Sequence, residues 1–221
     1  MLELINISKR YKDKWVLKDI HMKLNEERCV GILGVNGSGK TTLLSILAGV
    51  LKPNSGKVMY SDADLLKNQT LRRKLIAYIP QKSPLIEELN ALDNLKLWYY
   101  KEELKKEISS GVISLLGVDE FLKKPVSALS MGMKKRLSIA CAVASKPKIL
   151  LMDEPSAYLD IICKADIHRY ISEHKRQGGS IILVSHDVGD FTVCDEHYVL
   201  KSGVLSPFEY KDNVDELIKK L

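Results

Sequence analysis

Residues 34–41 read GVNGSGKT, a glycine-rich stretch whose residue types suit the binding of phosphate groups. Phosphate oxygens bind closely spaced backbone N–H groups, and glycine lets the backbone turn tightly enough to present several of them together. The stretch matches the P-loop pattern G-x-x-x-x-G-K-[ST], in which the lysine contacts the β- and γ-phosphates and the last hydroxyl binds Mg²⁺. The predicted phosphate contacts are Gly34, Val35, Asn36, Gly37, Ser38, Gly39, Lys40, Thr41 and Thr42.

Two carboxylates follow a short apolar run in KILLMDEP, residues 148–155. Asp153 comes after four apolar residues, so we expect it at the end of a buried strand, where it would bind Mg²⁺ directly or through water. Glu154 is the next residue, and a carboxylate there can orient and deprotonate an attacking water molecule. A solvated strand end is the alternative for this pair, and the P-loop elsewhere in the chain favours the chemical role.

A histidine follows another apolar run, SIILVS, at residues 180–185. Ligands of open α/β sheets bind outside the carboxyl ends of the strands, so His186 is a candidate contact for a γ-phosphate. A histidine with a purely structural role is the alternative.

The stretch LSMGMKKRLSIA, residues 129–140, has the pattern of a helix that begins after Ser130. Ser130 can cap this helix, but Gly132 costs roughly 1 kcal/mol relative to alanine in the first turn. Two interpretations follow. Either this is a slightly unfavourable helix start, or Ser130 and the bare backbone of Gly132 approach a group outside the chain.

The spacing of apolar residues predicts the elements that position these motifs. We expect strands at 2–7, 16–24, 28–33, 76–79, 148–154, 180–185 and 196–203, and helices at 40–50 and 162–177. Strand and helix alternate, which is typical of an α/β fold with a largely parallel sheet. Residues 83–145 instead have helical spacing, with Trp98 and Tyr99 expected in the core. The sequence thus predicts an α/β core, residues 1–82 and 146–221, interrupted by a helical subdomain, residues 83–145.

Length and composition exclude several classes of protein. A chain of 221 residues can bury a substantial core. Lysine and arginine exceed aspartate and glutamate by 34 to 28, an excess as compatible with an anionic membrane surface as with nucleic acid. The N-terminus has no apolar signal core, and no apolar run has the length of a membrane span, so we expect neither secretion nor a membrane span. Four single cysteines favour buried, reduced thiols in the cytosol.

Together the motifs resemble the nucleotide-binding subunit of an ABC (ATP-binding cassette) transporter, from Tyr11 to about Gly203. The family's order of motifs is kept in Tyr11, the P-loop, Gln81, the signature LSMGM, Asp153-Glu154, Asp160 and His186. The resemblance implies a P-loop NTPase (RecA-like) core with a mostly parallel sheet, an N-terminal antiparallel β part and an inserted α-helical subdomain. It also implies ATP and Mg²⁺ as cofactors.

The resemblance implies roles for individual residues. Tyr11 would stack on the adenine ring with Val16 packed nearby, although a half-buried tyrosine at a strand edge is the alternative. Gln81 would bridge Mg²⁺ and the attacking water, and the residues after it would face a cytoplasmic helix of a membrane subunit. Asp160 would belong to the nucleotide-binding residues.

In that family two subunits pair head to tail, and each signature helix presents its N-terminus to ATP on the other subunit's P-loop. Ser130 and the backbone of Gly132 would then contact a partner's γ-phosphate, which suits a serine-capped helix N-terminus. The sequence departs from the family pattern near this contact at Met131, Met133, Ala157 and Tyr158. These departures leave the geometry of the shared site open.

The sequence therefore predicts an ATP-binding and ATP-hydrolysing subunit that powers a separately encoded membrane permease from the cytoplasmic face of the cell membrane. Its predicted partners are this permease and a second ATP-binding subunit, in a homodimer or a heterodimer, and no nucleic acid. By resemblance, Met133 and the stretch after Gln81 favour an exporter, whose permease would select the cargo.

Two alternatives come from other classes of protein. The first is a soluble ABC-type ATPase that acts on ribosomes or DNA, but such relatives usually carry two cassettes or a long coiled coil. The second is a binding-only regulator, which the intact Glu154 and His186 disfavour.

Overall fold

The structure is a computed structural model that describes residues 1–209. Residues 210–221, which the sequence analysis assigned to the α/β core, lie outside the described residues. The strands are β1 Leu2–Tyr11, β2 Lys14–Leu24, β3 Cys29–Leu33, β4 Ser55–Tyr60, β5 Ala63–Asp64, β6 Ile76–Ile79, β7 Ile149–Asp153, β8 Ser180–Ser185, β9 Glu196–Lys201 and β10 Val204–Pro207. The α-helices are α1 Lys40–Ala48, α2 Gln69–Leu75, α3 Ala91–Lys96, α4 Lys101–Ser110, α5 Val112–Leu115, α6 Met131–Ala142 and α7 Ile161–Arg176.

The strands form two sheets. The smaller sheet is antiparallel and has the strand order β2-β1-β4-β5. The larger sheet has the order β10-β9-β3-β8-β7-β6, and its neighbouring strands are parallel except for β10 beside β9. The mostly parallel sheet and the antiparallel N-terminal part confirm the predicted fold class.

The larger sheet is buried on both faces, because its central strands alternate between two apolar clusters. In β8, Ile181 and Leu183 face a cluster that includes side chains of α6 and α7, whereas Ile182 and Val184 face a cluster that includes α1 and the smaller sheet. A strand covered on both faces has an almost continuously apolar sequence. This is why the short runs in the sequence predicted β3, β7 and β8 well.

The sequence analysis missed the elements between α1 and β6. Residues 51–75 contain β4, β5 and α2, to which no element was assigned. The helix α1 ends at Ala48 rather than at residue 50, because Gly49 adopts a left-handed backbone conformation with a φ of 78°. The predicted strand at 196–203 ends at Lys201, before the turn to β10.

Residues 83–145 contain the helices α3 to α6. Tyr99 is buried and its hydroxyl donates to the carbonyl of Ala140 at 2.7 Å, as expected for a core residue. Trp98 was also expected in the core, and this prediction is wrong, because its side chain is 61% exposed. The helix α3 ends at Lys96, so both aromatic residues lie in the following turn, where neighbouring side chains need not share a face.

The apolar side chains of residues 83–145 join the same cluster as one face of the larger sheet. The division into an α/β core and a helical subdomain therefore stays a prediction. Among residues 1–209, none of the helices combines the length and the apolar character that crossing a membrane requires.

Candidate active site at the carboxyl ends of the parallel strands

The P-loop connects the carboxyl end of β3 to α1, as the sequence predicts. Gly37 and Gly39 have φ angles of 80° and 111°, a conformation that favours glycine and that turns successive N–H groups into an anion-binding concavity. The hydroxyl oxygen of Ser38 is buried and has no hydrogen-bond partner among the described residues. Because an unpaired buried hydroxyl costs free energy, this atom fits a phosphate oxygen as its partner.

Lys40 begins α1, and its buried ammonium group lies within the loop. Nζ donates to the carbonyls of Gly34 at 2.6 Å and Val35 at 3.4 Å, and it lies 3.6 Å from Glu154 Oε1. The loop therefore holds one full positive charge against the end of β7. The predicted contacts Asn36 and Thr41 are exposed, and Thr42 is half-buried.

The hairpin of β1 and β2 lies beside the P-loop. A Cβ atom on Gly39 would lie 3.0 Å from both the carbonyl oxygen and Cγ1 of Val16, so Val16 borders the loop as predicted. Tyr11 ends β1 in the same hairpin, and its ring is half-exposed with the Lys9 ammonium 5.2 Å from the ring centroid. The stacking of Tyr11 on adenine stays a prediction.

Asp153 is the last residue of β7, and its carboxylate is buried. One of its two oxygens accepts a hydrogen bond, and the other has no partner among the described residues. The Tyr78 hydroxyl donates to Oδ2 at 3.1 Å, while Oδ1 has no hydrogen-bond partner among the described residues. Burial raises the pKa of Asp153, and the hydroxyls of Thr41 and Tyr78 oppose this rise. Burial and the Asp153 charge in turn raise the pKa of Tyr78 to about 12, so this phenol stays a donor. The unpaired Oδ1 beside Thr41 fits a Mg²⁺ ligand.

Glu154 follows in a left-handed backbone conformation, with a φ of 49°. Its N–H donates to the carbonyl of Val184 on β8 at 2.9 Å, which extends the pairing of the two strands by one residue. Its carboxylate is buried. Oε2 lies 2.7 Å from Nδ1 of His186 and accepts the His186 N–H at 3.2 Å, while Oε1 faces Lys40. The strand ends thus bring Lys40, Glu154 and His186 together.

Gln81 lies just beyond β6, whose neighbour in the sheet is β7, and its side chain is exposed. Its backbone is held by Lys135 of α6, whose Nζ donates to the carbonyls of Pro80 and Gln81, each at 2.9 Å. Burial lowers the pKa of Lys135 to about 8, and the negative charges of Asp153 and Glu154 oppose this lowering. This lysine joins the signature helix to the predicted metal edge of the sheet.

Ser130 caps α6 as predicted, and its Oγ accepts the N–H of Met133 at 3.2 Å. Gly132, however, is buried within the chain. A Cβ atom there would overlap Sγ of Cys163 and would lie 3.1 Å from its Cβ. Close packing of α6 against Cys163 of α7 is therefore a reason for this glycine within the chain, and the predicted contact of its backbone with a partner's phosphate stays a prediction.

Asp160 is the N-cap of α7, and its carboxylate accepts the N–H of Cys163 at 2.8 Å, which lowers the pKa of Asp160. This capping role explains Asp160 within the chain, and its predicted part in nucleotide binding stays a prediction. Met131 and Tyr158 are exposed, and Met133 packs against the core. Ser130, Gly132 and Asp160 thus form a second group of predicted residues, at the starts of α6 and α7.

A sequence family described as ABC transporter matches residues 17–157 of this chain. The chain belongs to the ABC transporter family. Its sheet arrangement is also that of solved ATP-binding cassettes. One is the dimeric post-hydrolysis state of the cassette MJ0796 bound to ADP and Pi, with a TM-score of 0.84, 26% identity, and coverage of 95% of this chain and all of that one. The predicted family, fold class and ABC ATPase assignment are confirmed.

Related ATP-binding proteins match nearly all of this chain. The lipopolysaccharide export system protein LptB of Haemophilus influenzae is 29% identical, over 98% of this chain and 94% of LptB. The uncharacterized ABC transporter protein YybJ of Bacillus subtilis is 34% identical, over 95% and 96%. The spermidine/putrescine import protein PotA of Mesoplasma florum is 35% identical over 92% of this chain. The chain spans only 59% of that PotA.

The sequence analysis missed two residues at the site, Tyr78 and Lys135. Tyr78 lies on a predicted strand, but only the pairing of β6 with β7 brings it to Asp153. Lys135 lies in the run Lys134-Lys135-Arg136. Three successive helix residues point in different directions around the helix axis, so this run of charges could have indicated that one of them faces inward.

Replacing Gly132 by alanine separates packing from ligand binding. Alanine favours a helix by about 1 kcal/mol over glycine, so without an internal obstacle Gly132→Ala would stabilise the chain. We expect it instead to lower the free energy of unfolding by about 1–3 kcal/mol, the usual cost of overpacking. Cys163→Ala removes the obstructing sulfur, so the double variant should lose less stability than the two single variants together. Urea unfolding of the four chains measures this, and a stabilised Gly132→Ala variant would refute the packing explanation.

Proposed function

We propose that this chain binds MgATP in a dimer of ATP-binding subunits, hydrolyses it with Glu154 as the base, and so powers a separately encoded membrane permease. The position of Glu154 carries the proposal. Its buried carboxylate directly follows Asp153, lies 2.7 Å from His186 and lies 3.6 Å from Lys40. Membership of the ABC transporter family supports the same function.

The residues at the strand ends divide the work of phosphoryl transfer. Lys40 and the N–H groups of the P-loop would bind the β- and γ-phosphates, and Asp153 and Thr41 would hold Mg²⁺. Mg²⁺ keeps several waters and needs few protein ligands, which suits one unpaired carboxylate oxygen and one hydroxyl. When bound, it neutralises phosphate charge as the β–γ bond breaks. Glu154 would take the proton of the attacking water, and His186 would orient Glu154 and the γ-phosphate.

A second subunit would complete the site. Ser130 is exposed at the N-terminus of α6, and exposed apolar side chains surround this helix end, among them Met131, Tyr158 and Ile161. Exposed apolar groups around a helix end that can bind an anion support the proposal that another subunit covers this surface. The partner would be a second copy of this chain or a related ATP-binding subunit, paired head to tail.

A cleft beside β6 is the proposed docking site for the permease. It has a volume of about 550 Å³, and its walls include Tyr78, Pro84, Leu85, Trp98 and Tyr100. Trp98 and Tyr100 are 61% and 86% exposed. The walls include residues on both sides of Gln81 in the chain, so a cytoplasmic helix of the permease seated here would reach the chain segment that Lys135 anchors. The protein would then lie peripherally on the membrane.

The direction of transport stays a prediction. The sequence favours an exporter, and the relatives include both a named export protein, LptB, and a named import protein, PotA.

Glu154→Gln tests the chemical role of the carboxylate. We expect MgATP binding to remain and turnover to fall at least ~10²-fold, the usual scale for the loss of a general base. Calorimetric titration with MgATP measures binding, and a steady-state phosphate-release assay measures turnover. Unchanged turnover in a folded variant would remove Glu154 from the mechanism.

Trp98→Ala tests the cleft. We expect this variant to keep its basal ATP hydrolysis but to lose co-purification with the permease. Leu97→Ala is the matched control, because Leu97 is adjacent and 58% exposed but lies outside the walls of the cleft. Normal capture of the permease by Trp98→Ala would place the docking surface elsewhere.

A further inference from the structure

Asp190 is a buried carboxylate that none of the predicted site motifs includes. It lies in the short 3-10 helix Val188–Val193 that follows β8, and only 1% of it is exposed. An ionised carboxylate is costly to bury unless hydrogen bonds compensate its charge. The donors that surround Asp190 therefore indicate what it holds in place.

Three side chains from three segments contact this carboxylate. Ser156, in the loop after β7, donates its hydroxyl proton to Oδ2 at 2.6 Å. Ser185, the last residue of β8, donates to the same oxygen at 2.7 Å. Nε2 of His168 on α7 lies 2.9 Å from Oδ1. Ser156 and Ser185 are fully buried, so Asp190 ties the loop after Glu154 to the residue before His186.

The hydroxyl of Ser185 links this cluster to the proposed base. Its Oγ lies 3.4 Å from Glu154 Oε2 and accepts the N–H of Asp187 at 2.9 Å. A serine hydroxyl has one proton, which forms its shortest bond with Asp190. Oε2 of Glu154 is therefore left to the donors of His186. Without an acceptor at Asp190, the Ser185 proton would turn to Glu154 and compete with the attacking water for this carboxylate.

Ser156 fixes the start of the loop that ends at Asp160. Its carbonyl accepts the N–H of Leu159 at 3.2 Å, and the exposed Tyr158 lies within this turn. The bond from Ser156 to Asp190 therefore sets where the loop leaves the active site.

We propose that Asp190 is a positioning residue for ATP hydrolysis, which holds Ser185 and Ser156 so that the Ser185 hydroxyl does not compete with the attacking water for the carboxylate of Glu154. The inference rests on the proposed role of Glu154 as the base. Asp190 acts through the two serines and contacts neither nucleotide nor metal in this account.

Asp190→Leu tests this role, because leucine has a similarly branched side chain and cannot accept a hydrogen bond. We expect kcat for MgATP hydrolysis by the full chain to fall at least about tenfold, a fraction of the contribution of a general base, with KM within about twofold of the wild type. Asp190→Asn should keep most of the activity, because its amide oxygen can still accept from both serines while His168 changes tautomer. Asp195, a carboxylate five residues further along the chain, is bound by Lys175, and Asp195→Leu should leave kcat unchanged.

A second substitution distinguishes proton direction from general damage. Ser185→Ala removes the proton that would turn to Glu154, so Ser185→Ala combined with Asp190→Leu should hydrolyse ATP faster than Asp190→Leu alone. If Asp190 had a purely structural role, the double variant would be slower than Asp190→Leu, because each change removes a buried hydrogen bond. A double variant that is no faster than Asp190→Leu would overturn the proposal, as would a normal kcat in Asp190→Leu.

A replacement variant and a parallel assay of Glu154→Gln complete the experiment. If Asp190→Leu does not fold, the double variant Asp190→Asn with His168→Arg replaces it. A guanidinium can only donate, so it would bind the amide oxygen at position 190. The amide nitrogen would then face the two serines and could not accept their protons. A kcat no lower than that of His168→Arg alone would then overturn the proposal. Glu154→Gln is assayed in parallel. If it turns over normally, the proposed base itself is wrong, whereas an inactive Glu154→Gln beside a normal Asp190→Leu refutes only the role of Asp190.

Discussion

The buried carboxylate of Glu154 lies between the ammonium of Lys40 and the ring of His186, and the parallel register of β3, β8 and β7 puts it there. Leu33 pairs with Ser185 and Asp153 pairs with Val184, so these strands end at one edge of the sheet. The P-loop, the two carboxylates and the histidine leave from these ends. A shift of one residue in either pairing would move the side chains of a strand to the opposite face and separate Lys40, Glu154 and His186.

The same edge is connected to the helices by buried polar contacts. Lys135 joins the signature helix to the backbone at Gln81, and Asp190 joins the loop after β7 to the end of β8. These contacts lie where the two proposed partner surfaces approach the site, the cleft beside β6 and the exposed start of α6. Movement at either surface would therefore reach the residues around Glu154 through these hydrogen bonds.

Sequence reasoning succeeded where function needs a fixed local pattern. The P-loop, Asp153 with Glu154, and the cap at Ser130 depend on neighbours in the chain, and the structure places each of them as expected. Tyr78, Lys135 and Asp190 depend on contacts between distant segments, which no spacing in the sequence specifies. Gly132 shows the same limit, because its close packing partner is Cys163, 31 residues further along the chain. The roles of Tyr11, Gln81 and Asp160 as nucleotide or metal contacts remain predictions.

In the proposed function each chain carries half of a catalytic site, with the base, the P-loop and the metal ligand on one subunit and Ser130 of another subunit closing on the γ-phosphate. The most direct test is the rate of MgATP hydrolysis per chain, measured over a wide range of protein concentration, with sedimentation of the same samples. We expect the rate per chain to rise with concentration and to level off as paired subunits form. A constant rate per chain, down to concentrations at which sedimentation shows single chains, would contradict it.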